Sequence, residues 1–366
     1  MSPAEYLEAV KARLLTDPVV EHMTYPNLSR YARQTIFPDL GQAGQRRLLD
    51  STVVLIGCGA TGTVIANHLA RSGVGRLRIV DRDFIELNNL QRQLLFDEQD
   101  IADGLPKAEA ARRKLARINS QITVEGIVAD VTADNILELL AGADLAMDGA
   151  DNFETRFLLN DACVQLGLPW VYSGVIASYG MTMTIRPGET ACLRCLLGQL
   201  PAPGTAPTCD TAGVLAPSVA VVASIAAGEA LKLLAGFGEL NAGSLLNFDL
   251  WDNSLERFEV LRQPDCPACG QRDFEFLHAQ SGTRTATLCG RNAVQISVAG
   301  RPAVDLIALA ERLRAAGQGE VIVNPYLLRA ALGGMDVTIF PDGRAIIKGT
   351  EDESVARTVY ARYVGM

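Results

Sequence analysis

Short apolar runs alternate with segments of helical spacing over the first two-thirds of the chain. Runs rich in β-branched residues predict strands, and segments whose apolar residues recur every three or four positions predict helices. The predicted strands comprise residues 53–56, 77–80, 123–129, 144–147, 170–173 and 180–186, followed by residues 245–248 and 257–261. This alternation predicts an α/β fold built on a doubly wound, mostly parallel, Rossmann-like sheet.

The most apolar stretch of the chain, residues 214–235, is interrupted by polar groups. Pro217, Ser218, Glu229 and Lys232 lie within it, and a lipid-exposed span would not readily tolerate them. We therefore expect a buried helix and no membrane partner.

The first 20 residues predict a short amphipathic helix. Charged side chains are spread along them, so this segment is neither a secretory signal nor a membrane anchor. We expect a cytoplasmic protein.

The apolar pattern changes after residue 278. Residues 279–285 predict a linker, and from residue 285 onward β-like runs alternate with two amphipathic helices. The predicted runs cover residues 293–298, 321–323, 337–340 and 345–348. The chain therefore divides into an N-terminal helix or arm (1–29), a core domain (30–278) and a small α+β domain (285–366) that shows no cluster of reactive groups.

Three glycines follow the first predicted strand in the spacing of a nucleotide-binding turn. Gly57 would allow a tight strand-to-helix turn, Gly59 would let the backbone approach a phosphate, and Gly62 would let the helix pack closely on the strand. Asp81 ends the second strand 19 residues past the last glycine, near the offset at which an acid binds a ribose. The pattern predicts a site for an adenine nucleotide but does not say which one.

Polar residues crowd the segments that follow these strands, at the edge where doubly wound sheets bind ligands. One such segment begins with Asp81-Arg82-Asp83 and continues to the run of amides and arginine at residues 88–93. Lys107 follows Pro106 at the start of a helix. A cation gains nothing from the helix dipole there, so we expect a phosphate partner for Lys107.

Asp151 follows the fourth predicted strand, beside the first glycine turn. It could face a ligand, or it could only cap the helix predicted over residues 153–167. Asn152 could supply that cap instead, in which case both roles can hold.

Charge composition narrows the possible functions. The chain carries 33 Lys and Arg against 42 Asp and Glu, a net charge of −9, which disfavours a nucleic-acid partner. Each basic group in a pocket is then expected to have a specific role. The chain contains three histidines, which disfavours a catalytic Ser-His-Asp triad or Cys-His dyad.

Eight cysteines include two C-x-x-C pairs, Cys192 with Cys195 and Cys266 with Cys269. Two such pairs can close a tetrahedral thiolate site for Zn²⁺. A redox dithiol, an iron–sulfur cluster and unrelated thiols are the alternatives, but a redox pair needs only one motif and clusters often use other spacings. A closed four-cysteine site would hold the fold together rather than catalyse.

The other cysteines differ in their surroundings. Cys58, Cys163 and Cys289 lie in apolar or glycine-rich segments and are expected to be packing residues. Cys209 lies in a polar loop rich in proline and glycine, where exposure would permit nucleophilic attack, although neighbouring Asp210 should raise the pKa of its thiol. A reactive and an inert Cys209 are equally compatible with the pattern.

Residues 30–276 resemble the ThiF/MoeB/HesA family, the E1-like bacterial relatives of ubiquitin-activating enzymes. The resemblance rests on the order and spacing of the following residues: Arg33-Gln34, Gly57, Gly59, Gly62, Asp81, Asp83, Asn89 to Gln93, Pro106-Lys107, Asp151-Asn152, Arg156, Thr208-Cys209 and the two C-x-x-C pairs. It implies that ATP adenylates the C-terminal carboxylate of a small ubiquitin-fold sulfur-carrier protein that ends in Gly-Gly, with release of pyrophosphate. A carboxylate is already ionised at neutral pH, so the attack needs alignment and charge neutralisation rather than a general base. This chemistry suits a site rich in Arg and Lys but poor in His.

The resemblance also implies roles for individual residues. Asp81 matches the ribose ligand, Asp151 matches the residue that holds Mg²⁺, and Arg33 matches an arginine that reaches into the partner subunit's site, which implies a homodimer. Cys209 matches a cysteine that bonds the carrier in some members. The remaining contacts with ATP match the glycine turn, Asp83, Asn89, Arg92, Gln93, Lys107 and Asn152.

Two departures from the family pattern bear on function. The glycine turn reads Gly-Cys-Gly-Ala-Thr-Gly, which keeps the three required glycines. The C-terminal domain contains only Cys289 and lacks the cysteine loop of the rhodanese domain that eukaryotic relatives carry there. We infer that sulfur would come from a separate donor, a cysteine desulfurase or a rhodanese, and we hypothesise that the C-terminal domain helps choose the carrier.

Alternatives stay open at this point. The glycine turn and Asp81 alone would also permit an NAD-dependent oxidoreductase, but that function gives no reason for Arg92 and Lys107. A related branch of the family adenylates peptides, and a scaffold with a degenerate nucleotide site is a non-enzymatic alternative. The sequence does not separate carriers of thiamin, molybdopterin, tRNA-thiolation or specialised-metabolite pathways.

Overall fold

The structure is a computed structural model that describes residues 28–199, 212–278, 284–288, 292–297, 303–318 and 320–364. The N-terminal helix predicted over residues 1–20 lies outside the described residues, as do Thr208, Cys209 and Cys289.

Eleven helices lie in the described residues, together with short 3₁₀ turns at Ser29–Tyr31 and Leu87–Asn89. The helices are α1 (Ala32–Thr35), α2 (Gly41–Asp50), α3 (Ala60–Ser72), α4 (Glu98–Ala102), α5 (Lys107–Ile118), α6 (Ile136–Leu140), α7 (Phe153–Leu166), α8 (Leu193–Leu197), α9 (Ala216–Ala235), α10 (Leu306–Ala315) and α11 (Glu353–Tyr363).

An eight-stranded sheet forms the core domain. Its strands are β1 (Thr52–Ile56), β2 (Arg76–Val80), β3 (Thr123–Ile127), β4 (Leu145–Asp148), β5 (Trp170–Ile176), β6 (Tyr179–Ile185), β7 (Ser244–Asp249) and β8 (Ser254–Glu259). They lie in the order β3-β2-β1-β4-β5-β6-β7-β8, in which the first five are parallel and the last three antiparallel. The predicted α/β fold with a mostly parallel sheet is confirmed, and the strand order reverses direction between β1 and β4, where such sheets bind ligands.

Helix α9 packs across the sheet and α3, as its apolar sequence predicts. Val219, Ala223, Ala226 and Ala230 are fully buried, and buried Glu229 accepts hydrogen bonds from Thr184 and from a backbone N–H. Among the described helices, α9 alone is long and apolar enough to cross a membrane. Half of its most apolar 18-residue stretch is nevertheless buried inside the protein.

The C-terminal domain is a second, antiparallel sheet with two helices, which agrees with the expected α+β composition. Its strands are β9 (Arg284–Leu288), β10 (Ala293–Ser297), β11 (Val321–Val323), β12 (Leu328–Leu332), β13 (Met335–Ile339) and β14 (Ala345–Lys348), in the order β11-β12-β13-β14-β10-β9. The apolar pattern predicted only four of them. Strand β9 begins at Arg284, inside the predicted linker, and β12 contains two alanines, which favour strands poorly.

Candidate functional site

The glycine turn joins β1 to α3 in the geometry that its residues predict. Gly57 has a φ of +90°, and a Cβ on it would lie 2.4 Å from the carbonyl oxygen of Gly149. A Cβ on Gly62 would lie 2.2 Å from the carbonyl oxygen of Gly57. A Cβ on Gly59 would meet only the Gln93 Nε2, at 3.9 Å. Gly57 and Gly62 are therefore required by packing, whereas the space above Gly59 is open to a ligand.

Asp81 braces this turn from the end of β2. Its Oδ2 accepts a hydrogen bond from the backbone N–H of Cys58 at 2.6 Å, and its Oδ1 accepts one from the N–H of Asp83 at 2.7 Å. Burial raises the pKa of Asp81 above its usual value, and the nearby Lys107 opposes that rise. The carboxyl group thus lies beside the turn, in the position from which an acid can reach a ribose.

Lys107 lies at the start of α5, and its ammonium group pairs with Asp83. Its Nζ lies 3.1 Å from Asp83 Oδ2, and its side chain is only 6% exposed. A lysine that is buried to this extent needs an acidic partner. The sequence pattern did not indicate that Asp83 is this partner. The ion pair also keeps the ammonium group near Asp81, at the mouth of the glycine turn.

The amide-rich segment after β2 contributes two further buried side chains. Asn89 is buried and accepts a hydrogen bond from the backbone N–H of Glu86 through its Oδ1, at 3.1 Å. Its own carbonyl oxygen accepts from the N–H groups of Arg92 and Gln93. Gln93 is buried with its Oε1 lacking a hydrogen-bond partner among the described residues. A buried acceptor of this kind is costly, and Gln93 faces the open space above Gly59.

Asp151 lies beside the glycine turn because β4 pairs with β1 and Gly149 packs against Gly57. Its neighbour Asn152 caps α7, accepting a hydrogen bond from the N–H of Thr155 at 2.8 Å. Asn152 is therefore the N-cap of α7, and Asp151, which is exposed, does not serve as the cap.

A buried ion pair that the sequence reasoning did not assign supports this loop. Arg156 Nε donates to Asp148 Oδ2 at 3.0 Å, and its Nη2 donates to the carbonyl oxygens of Ala150 and Ser173. Burial raises the pKa of Asp148, while the guanidinium of Arg156 opposes that rise. Asp148 could have been found from its position, because it is the last residue of a buried strand and directly precedes the candidate loop.

Arg82 is a second group that the sequence reasoning left without a role. Its Nη1 donates to Asp130 at 2.9 Å, and its side chain lies near Asp83 and Asp151. Burial alone would lower the pKa of Arg82, but these three carboxylates outweigh burial and raise the pKa above its usual value. The carboxyl edge of the sheet thus brings acidic and basic side chains close together.

Arg33 lies elsewhere. It is exposed on α1, and the adjacent Gln34 donates a hydrogen bond to the carbonyl oxygen of Ser72, the last residue of α3. Helix α3 has 13 residues and is therefore about 20 Å long. Arg33 is thus placed at the far end of α3 from the glycine turn of its own chain.

The four predicted zinc ligands come together. Cys192 and Cys266 have sulfur atoms 3.6 Å apart, Cys195 and Cys269 have theirs 3.4 Å apart, and all four sulfur atoms lie within 4.8 Å of one another. Tetrahedral thiolates bound to Zn²⁺ are separated by about 3.8 Å. All four residues are buried, so the cluster fits a closed structural zinc site that joins α8 to the segment after β8.

Two other described cysteines are packing residues, as predicted. Cys58 and Cys163 are fully buried in apolar surroundings. Burial raises the pKa of both thiols, so neither is suited to act as a nucleophile.

Comparisons with known proteins agree with the geometry. The model of the ThiF family matches residues 31–268. The sulfur carrier protein ThiS adenylyltransferase of Bacillus subtilis is 48% identical over 340 residues, which cover 92% of this chain and 99% of that protein. A sulfur carrier protein adenylyltransferase of Thermus thermophilus is 40% identical over 71% of this chain and 99% of its own length. Among solved structures, Escherichia coli MccB with ATP matches with a TM-score of 0.61 and 25% identity, over 73% of this chain and 80% of that one.

Proposed function

The chain belongs to the ThiF family, and we propose that it adenylates the C-terminal carboxylate of a small ubiquitin-fold sulfur-carrier protein ending in Gly-Gly. ATP is the co-substrate and pyrophosphate is released. One observation carries the proposal most directly: Asp81, Lys107 and Asp151 lie beside the glycine turn of a chain that is nearly half identical to a ThiS adenylyltransferase.

The site fits the parts of ATP in order. The open backbone at Gly59 admits a phosphate at the N-terminus of α3, where N–H groups and the helix dipole favour an anion. Asp81 accepts hydrogen bonds from the ribose, and Asp83, Asn89, Arg92, Gln93 and Lys107 line the triphosphate. The exposed carboxylate of Asp151, with Asn152 beside it, would hold Mg²⁺, which supplies neutralising charge when bound.

The reaction follows from this arrangement. A carboxylate oxygen of the carrier attacks the α-phosphorus, the new bond is an acyl phosphate, and the bond from that phosphorus to the β-phosphate oxygen breaks. The carrier carboxylate is already ionised, so no base is required. Arg92 and Lys107 neutralise the charge that gathers on the transferred group, and this is the largest contribution that a preorganised site can make.

The carrier can dock along the edge strand β8, which has exposed apolar side chains on both of its faces. Trp251, Leu255, Phe258 and Leu261 are each between 48% and 76% exposed and lie on or beside the edge strand β8. An unpaired strand edge with apolar side chains accepts another protein readily. The near end-to-end match with the Bacillus subtilis relative favours a ThiS-like carrier.

A homodimer would complete the site. Arg33 lies about 20 Å along α3 from the glycine turn of its own chain, which is longer than a side chain reaches. This distance supports the role that the family resemblance implies for Arg33, in the site of a second copy. Sulfur would come from a separate cysteine desulfurase or rhodanese, because the sequence of the C-terminal domain lacks the cysteine loop of a rhodanese. We place the reaction in the cytoplasm.

Replacement of Asp151 tests the proposed site. We expect Asp151→Ala to reduce acyl-adenylate formation on the carrier by more than about 100-fold, because the group that would hold Mg²⁺ is lost while Asn152 still caps α7. Mass spectrometry of the carrier after incubation with ATP measures the product.

The matched control is Asp134→Ala, since Asp134 is also an exposed aspartate after a strand of the same sheet. It should retain full activity. Unchanged acyl-adenylate formation by a folded Asp151→Ala protein would contradict the assignment of Asp151.

A further inference from the structure

The C-terminal domain presents one face of its sheet to the core domain. Within β14, Ala345 and Ile347 point into the apolar core of their own domain. Successive side chains of a strand alternate between its two faces, so Arg344, Ile346 and Lys348 share the other face. That face lies against residues 82–86, the segment that leads from β2 to the candidate triphosphate contacts.

The two segments meet at matching positions, two residues apart on each side. Arg344 Nη2 donates to the carbonyl oxygen of Arg82 at 2.6 Å. Ile346 packs against Phe84 in a small buried cluster. Lys348 forms an ion pair with Glu86.

Neighbouring strands extend this contact. Arg329, Thr338, Ile346 and Gln295 form a row of paired residues across β12, β13, β14 and β10. The Arg329 guanidinium lies 4.2 Å above the ring of Phe84. Gln295 Nε2 donates to Asp130 Oδ2 at 2.9 Å, and Asp130 in turn accepts from Arg82.

Each end of the contacted segment leads directly to a candidate ATP group. Arg82 lies between Asp81 and Asp83, and Asp83 pairs with Lys107. Glu86 bonds through its backbone to the side chain of Asn89, whose carbonyl oxygen accepts from Arg92 and Gln93. A shift of residues 82–86 would therefore move both the ribose acid and the triphosphate groups.

We propose that the C-terminal domain positions the nucleotide site of the core domain, with Lys348, Arg344 and Gln295 as positioning residues that hold residues 82–86. The inference rests on the proposed function for the identity of the nucleotide. It assigns to this domain a role in ATP binding, separate from any role in carrier choice.

Removal of the Lys348 charge tests the inference in the full-length protein. We expect Lys348→Met to weaken ATP binding roughly tenfold, because misplacement of binding groups by a fraction of an ångström is costly. Isothermal titration calorimetry measures that affinity without a carrier. In exchange assays, the KM for ATP should rise while the KM for the carrier stays constant, and Lys348→Arg should restore ATP affinity.

Arg312→Met is the matched control. Arg312 is an exposed cation of the same domain that donates to the carbonyl oxygen of Tyr363, away from the core domain. Its replacement should leave ATP affinity unchanged. In Lys348→Met, hydrogen–deuterium exchange of residues 82–93 should be faster than in the wild type. Exchange of residues 328–347 should be unchanged.

If residues 328–347 lose protection in Lys348→Met, a second variant takes its place in the test. Glu86→Gln removes the same ion pair from the side of the core domain. Wild-type ATP affinity in the folded variant would overturn the inference. A protein that binds ATP but adenylates no carrier would refute the proposed function and leave this inference standing, because the affinity is measured without a carrier.

Discussion

Asp161 is a carboxylic acid placed where its charge is disfavoured. It is 1% exposed on α7, its Oδ2 accepts a hydrogen bond from the N–H of Phe276, and its Oδ1 has no hydrogen-bond partner among the described residues. Burial raises the pKa of Asp161 to about 6. Between about pH 4 and pH 6, the folded protein therefore keeps a proton on Asp161 that the unfolded chain has already released.

This shift predicts a pH dependence of stability. Between about pH 4 and pH 6 the folded state binds more protons, so the free energy of unfolding falls as the pH rises through that window. We expect Asp161→Asn to remove this fall and to raise stability at pH 7.5 by about 1 to 2 kcal/mol. Urea unfolding at several pH values measures it, and parallel pH profiles for the two proteins would contradict the account.

Residues whose chemistry is local were predictable from sequence. Gly57 and Gly62 are required by contacts within one turn, and the C-x-x-C pairs carry their own chelating geometry. Partners joined only by the fold were not predictable. Asp83 pairs with Lys107 across 24 positions, and Arg344 reaches Arg82 across 262, because sheet order and domain packing decide which side chains meet.

The four-cysteine cluster is the element that joins the last strands of the core sheet to α7 and α8. Cys192 precedes α8, and the N–H of Leu193 donates to Asn160 on α7. The second pair, Cys266 and Cys269, follows β8. The cluster therefore ties the strand that carries the candidate carrier surface to the rest of the domain.

Loss of one cysteine ligand should weaken the connection that the cluster makes between α8 and the segment after β8. We expect Cys269→Ser to lose most of its zinc and to lower the thermal midpoint by about 5 °C or more, because metal binding contributes to folding. Zinc content and calorimetry measure the two effects. Cys163→Ala, which removes a buried cysteine outside the cluster, should keep its zinc, and full zinc occupancy in Cys269→Ser would contradict the assignment.

Elements with strong periodicity were predicted, and weaker ones were missed. All eight core strands were predicted to within a few residues, because each contains a short run or an alternation of apolar residues. Strand β12 was missed because Ala330 and Ala331 give a weak strand signal. The adjacent Gly333-Gly334, both with positive φ, is the two-residue hairpin turn that could have revealed it.

At the scale of the whole molecule, the domains are not independent. Phe84 of the core domain is buried against Leu327, Phe340 and Ile346. Removing the C-terminal domain would expose this cluster and release residues 82–86. Truncation alone would therefore not separate a role in carrier choice, which stays a hypothesis, from a role in the ATP site.

Subunit mixing tests the proposed homodimer. Arg33→Ala and Asp151→Ala should each be inactive alone, because every site lacks one required group. In a mixed dimer one site combines Arg33 and Asp151 from different chains, so random mixing should restore about a quarter of wild-type activity. Carrier-dependent exchange measures it. Absence of any recovery after verified subunit exchange would contradict a site shared between chains.

The most direct test of the central claim is ATP–pyrophosphate exchange by the purified protein, measured with and without each Gly-Gly-ended carrier of the same organism. We predict exchange that depends on one carrier and is lost when its terminal glycine is removed, because the reaction is reversible adenylation of that carboxylate. Exchange that is absent with every carrier, despite measurable ATP binding, would contradict carrier adenylation.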